Sequence, residues 1–164
     1  MKYRLTAALC IAVSGIAQGP QAVPPKPVVR ATPAAEDAPE ARITLDVTRG
    51  NMLFTVPVLT KAFVVSPDGK VAGSFGKAGS APGLFGIVSG IVADDQGNYL
   101  VVERLRSVVM IFDREFRFLK EFGYRGDKPG NLIRPSELTL GNSGKLYVTQ
   151  VRNRGVSVFS VTSD

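Results

Sequence analysis

An all-β fold built from repeated antiparallel sheets is predicted by three features of this sequence. From Ile43 onward the chain matches itself, without a gap, at a shift of 47 residues: Phe75-Gly76 recurs as Phe122-Gly123, Pro82-Gly83 as Pro129-Gly130, Gly97 as Gly144, Leu100-Val101 as Tyr147-Val148, and Phe112 as Phe159. Each period holds four short runs rich in Val, Ile, Phe or Tyr, clearest at 89–93, 99–103, 108–112 and 118–122. No helical 3.6-residue pattern long enough to carry a parallel crossover follows Ile43, so the runs must pair as antiparallel neighbours.

The turns separate the runs in the expected chemistry. Asp94-Asp95-Gln96-Gly97-Asn98 divides the first from the second, Asp113-Arg114-Glu115 the third from the fourth, and Pro67-Asp68-Gly69 stands at the latter place one copy earlier. Pro82-Gly83 and Pro129-Gly130 suit type II turns and mark the passage from one sheet to the next. A four-stranded antiparallel sheet repeated every 40 to 50 residues is the pattern of a β-propeller, whose blades bury their faces against one another. The predicted blades are residues 43–76, 77–123 and 124–164. Residues 43–164 supply only about 2.6 periods where closed propellers have ~4 to 8 blades, so the sequence predicts a partial propeller cut from a six-bladed ring, self-associating through an uncovered blade edge.

Ahead of the repeats, residues 1–4 are basic, 5–16 form an apolar run, and Gly15-Ile16-Ala17 offers small residues at a cleavage site, so residues 1–17 read as a signal peptide and the chain as exported. Cys10 falls inside that run as one of its apolar residues. Residues 18–42 hold six of the eleven prolines and too few large apolar side chains for a core, which predicts an extended linker.

Composition narrows the chemistry. The chain has 164 residues, a single Cys, no His and no Trp. An internal disulfide, a cysteine zinc cage and histidine general-base catalysis are thereby excluded. The glycine-rich stretch Gly73-Ser74-Phe75-Gly76 opens no helix and implies no nucleotide cradle, so no cofactor is expected. Asp94, Asp95, Glu103 and Asn153 are oxygen donors of the kind calcium takes, but Asp94-Asp95 suits ordinary turn chemistry, and Glu103 and its repeat equivalent Gln150 suit hydrogen bonding to loop backbone. No metal or catalytic residue is expected.

From Pro82 to Gly123 the order Pro-Gly-x-Phe, Gly-Ile-x-Ala-Asp-x-x-Gly-Asn-x-x-Val, Val-x-Ile-Phe-Asp and Phe-Gly resembles the NHL repeat. The Arg that such repeats usually carry at the head of the third strand is Val108 here and Gly155 in the next copy. The resemblance implies a propeller that binds or scaffolds. It also implies two alternatives: a fragment of a propeller hydrolase or lyase whose catalytic groups lie in further blades, and an RNA-binding module, against which the signal peptide speaks.

The charge is one-sided. The connections between blades and between second and third strands emerge at one end of the sheets, here the loop end; the two remaining turns of each blade emerge at the other, the turn end. The loop end carries Lys77, Arg104, Arg106, Arg125, Lys128, Arg134, Arg152 and Arg154 against Glu103 and Asp127, whereas the turn end has five cations and five acids. Arg104, Arg106, Arg152, Arg154, Arg125 and Lys128 are therefore the expected ligands for an anionic partner: a protein, an acidic polysaccharide or a lipid headgroup, rather than nucleic acid.

Overall fold

The computed structural model describes residues 43–46, 49–141, 143–151 and 155–161. The expected signal peptide and linker, Cys10, Arg152, Asn153 and Arg154 lie outside the described residues.

Among the described residues eleven strands form three antiparallel sheets. The first holds β1 (Ile43–Leu45), β2 (Met52–Val56), β3 (Lys61–Val65) and β4 (Val71–Phe75), the second β5 (Val88–Ala93), β6 (Tyr99–Glu103), β7 (Val108–Phe112) and β8 (Phe118–Phe122), and the third β9 (Pro135–Leu140), β10 (Lys145–Gln150) and β11 (Val156–Ser160). Each sheet is a meander in which sequence neighbours pair. One 3-10 turn, Pro57–Leu59, joins β2 to β3. The runs read from the sequence at 99–103, 108–112 and 118–122 coincide with β6, β7 and β8, and that at 89–93 with all but the first residue of β5.

Period-two alternation sends the two faces of the second sheet into two different cores. Tyr99, Val101, Val108, Met110 and Phe112 face Leu53, Ala62, Val64 and Phe75 of the first sheet, while Leu100, Val102, Val109 and Ile111 face Leu138, Leu146 and Val148 of the third. All ten residues of β6 and β7 are consequently buried, and each large apolar side chain so placed contributes about 1.5–3 kcal/mol. In the first core Phe75 is the hub: ring centroids of Phe112 and Phe116 lie 4.9 Å from it, Tyr99 5.7 Å and Phe85 6.0 Å.

The repeat is carried by backbone devices as well as by side chains. In each inter-sheet connection a Pro-Gly turn is closed by a hydrogen bond, Leu84 N–H to Ala81 O at 3.0 Å and Asn131 N–H to Lys128 O at 2.9 Å, with Gly83 and Gly130 at φ 77° and 87°. Each turn returns the chain to its own start, through the parallel bridges Ala78 to Phe85 and Arg125 to Leu132. The Phe-Gly pairs have a steric cause. Gly76 and Gly123 sit at φ 111° and 110°, and a Cβ at Gly76 would lie 2.6 Å from the Thr60 carbonyl oxygen. The last residue before the third strand is left-handed in both complete sheets, Thr60 at φ 50° and Ser107 at φ 61°.

Candidate functional site

At the loop end, the connection into the second and into the third sheet is tied to the loop between that sheet's second and third strands. Glu103, at the end of β6 and fully buried, does this in the second sheet: Oε1 accepts from the N–H of Ile87 (2.8 Å) and of Leu105 (2.9 Å), and Oε2 accepts from the N–H of Arg106 (2.9 Å). The loop answers with Arg104 N–H to Ile87 O at 2.8 Å. In the third sheet Gln150 stands in for Glu103, its Oε1 accepting from Ile133 N–H at 2.6 Å while Nε2 donates to Ser157 Oγ at 2.8 Å. The sequence reading of these two side chains as loop-backbone acceptors matches this geometry.

The cations divide into two kinds. Arg106 does not project from the loop end. Its guanidinium turns back along the sheet, donating from Nη1 and Nη2 to the two carboxylate oxygens of Glu121 at 2.7 and 2.9 Å, with Nε 3.6 Å from Glu103 Oε2. With its side chain only 21 % exposed, Arg106 is a bidentate structural pair and not an open anion ligand. This corrects its expected role; the cause is Glu121 on β8, a strand residue and so absent from a count of loop charges. Arg125 remains exposed while Nη2 donates to the Leu105 carbonyl at 2.7 Å, which fixes it beside the Arg104 loop. Lys77, Lys128 and Arg134 are exposed and Arg104 is half-buried, and none of the four holds a carboxylate among the described residues.

At the turn end four of the five cations have an acid partner, and the fifth, Lys145, donates to Ser160 Oγ at 2.7 Å. Arg117 Nε donates to Asp113 Oδ2 at 2.7 Å and its Nη2 to Glu115 at 3.1 Å; Lys70 sits 2.8 Å from Asp68. Burial alone would raise the Asp113 carboxyl, but the N–H groups of Arg117 and Glu115 and the Arg117 guanidinium outweigh it and hold the carboxyl below the usual aspartate range. Asp68 is likewise lowered, by Lys70 first and then by Ser66. Arg49 pairs with Asp46 and donates to the Asp94 carbonyl of the next sheet at 3.4 Å. Asp94 itself closes its turn, accepting from the Asn98 N–H at 2.7 Å and from Asn98 Nδ2 at 2.8 Å. Among the described residues no group of three or more His, Cys, Asp or Glu is placed to hold a metal ion.

Comparison with known proteins places the fold. No family model matches the chain. Over 77 residues it is 32% identical to the protein brain tumor of Drosophila melanogaster, a match covering 46% of this chain and 7% of that one. A solved structure of a Bacteroides thetaiotaomicron protein of unknown function superposes with a TM-score of 0.58 at 12% identity, over 79% of this chain and 38% of that chain. A catalytically inactive virginiamycin B lyase from Staphylococcus aureus, with quinupristin, gives 0.54 at 14% identity, over 78% and 43%. The chain thus spans less than half the length of each of these proteins. Its three sheets are blades of a β-propeller-type fold, and at such identities the structural likeness speaks to the fold alone.

Proposed function

We propose that the chain is an exported, non-enzymatic NHL-type propeller segment whose loop end binds an anionic partner: an acidic protein surface, an acidic polysaccharide or a lipid headgroup. The observation that carries this reading is the contrast in pairing. Among the described residues Lys77, Arg104, Lys128 and Arg134 hold no carboxylate, whereas Arg49, Lys70, Arg114 and Arg117 at the turn end each have one within 4.0 Å. Unpaired guanidinium and ammonium groups on one side of a rigid sheet end bind carboxylate, sulfate or phosphate without first breaking an internal ion pair. The NHL assignment is supported by the motif order from Pro82 to Gly123 and by the match to brain tumor, an NHL-repeat protein. The export assignment rests on residues 1–17.

Retention on heparin-agarose against unsubstituted agarose tests the binding reading. Wild-type protein is expected to be held at low salt and the double variant Arg104→Ser with Lys128→Ser to elute earlier; unchanged elution of the variant overturns it. N-terminal sequencing of the product tests export, with a start near Gln18 expected and an intact Met1 the contrary result.

A further inference from the structure

The repeat assigns partners to surfaces that have none within the described residues. At the 47-residue shift, Tyr147, Val156 and Val158 on the outer face of the third sheet are the equivalents of Leu100, Val109 and Ile111, the positions through which the second sheet packs on the third. The latter are at most 5 % exposed, the former 41 %, 54 % and 55 %. On the far side of the molecule, Phe54 and Phe63 on the outer face of the first sheet are equivalent to Val101 and Met110, through which the second sheet packs on the first. Alternation confirms their side: Leu53 and Val64 point into the first core, so Phe54, its stacked partner Phe63 at 5.2 Å, and Ile43, which pairs with Phe54 across the strands, point away from it. Ile43 is 70 % exposed.

We infer that these two faces are complements of each other and that their occupant is a second copy of this chain. The first sheet of one copy stacks on the third sheet of its partner, repeating the joint that the chain already makes twice internally. A twofold axis makes the same joint a second time, so that two sets of three sheets close into one ring of six. Six lies within the ~4 to 8 blades of closed propellers, and the closed ring leaves neither apolar face in water. This inference is independent of the anion-binding reading, because both faces lie on the sides of the blades and not at their ends.

Sedimentation velocity of the full 164-residue chain over a range of concentrations decides it. The expected species is a dimer, twice 17.5 kDa. Val158→Glu on the third sheet and Phe54→Glu on the first should each weaken it by at least about 100-fold, since either one buries a carboxylate in both joints. Tyr147→Lys gives a second probe of the third sheet at an exposed site, and Leu105→Glu, on an exposed loop tip, should leave the dimer intact. A monomer at all concentrations overturns the inference. So does a dimer lost through Val158→Glu but kept in Phe54→Glu, which means the third sheet pairs with itself, and so does a ladder of larger species, which means the stack does not close.

Discussion

The two ends of the same sheets solve the problem of charge in opposite ways. At the turn end acids and cations share tight turns, as Asp113 with Arg117 and Asp68 with Lys70, so these charges cancel locally and the Asp113 carboxylate also satisfies turn N–H groups. At the loop end the acids are drawn into the sheet. Glu103 is spent on three backbone N–H groups and Glu121 on Arg106, which leaves the longer connections with cations that nothing within the described residues neutralises. The asymmetry thus comes from where the acids sit as well as from where the cations are placed: the turn end has five basic residues to the loop end's eight, and four of its five have a carboxylate within 4.0 Å.

Breaking the buried acid should therefore do most damage. Glu103→Ala strands three loop N–H groups and removes one carboxylate from Arg106, and should cost about 3–5 kcal/mol in chemical denaturation. Glu103→Gln should cost less, because Gln150 performs the equivalent loop contact in the third sheet with one backbone N–H. Next comes the hinge by which the chain leaves the first sheet toward the loop end. Gly76→Ala places a Cβ against the Thr60 carbonyl and the Phe85 ring at a left-handed φ, and a loss of about 2–4 kcal/mol, read as a lower denaturation midpoint, is expected.

The smallest effect is at the turn end and depends on pH. The folded Asp113 carboxyl titrates below its ordinary value of 3.8, so its stabilisation is complete above that value and is lost as pH falls through the lower, folded one. Asp113→Asn should flatten the acid side of a melting-temperature profile below the ordinary carboxyl value of 3.8 and leave the neutral range nearly parallel to wild type. A profile unchanged in shape would show that the turn-end pairs carry no linkage.

The blade strands were legible because a buried meander obeys a period of two and a repeat of 47 at once: β6 and β7 are continuous apolar runs bounded by turn residues, and both rules point to the same bounds. The loop-backbone role of Glu103 and Gln150 was legible from their equivalent places at strand ends. The fate of Arg106 was not. Its partner Glu121 is fifteen residues on and reaches it only because β8 pairs with β7, so that Glu121 lies beside Met110, whose sulfur is 3.5 Å from Arg106 Nη2. Charge counted by loop cannot see a long side chain lying along the sheet beneath. The same limit bears on Lys77 and Arg134, counted at the loop end but not among the expected ligands, though both are exposed and hold no carboxylate among the described residues.

If position, and not net charge, selects the anion-binding end, the two ends must respond differently to the same loss of charge. Two variants of equal charge change decide this: Lys77, Arg104, Lys128 and Arg134 all to Ser, and Lys70, Arg114, Arg117 and Lys145 all to Ser, compared for the salt at which each leaves a heparin column. The first set should elute without retention at low salt and the second close to wild type, because its arginines and Lys70 were already engaged by acids. Equal losses from the two sets would contradict the claim.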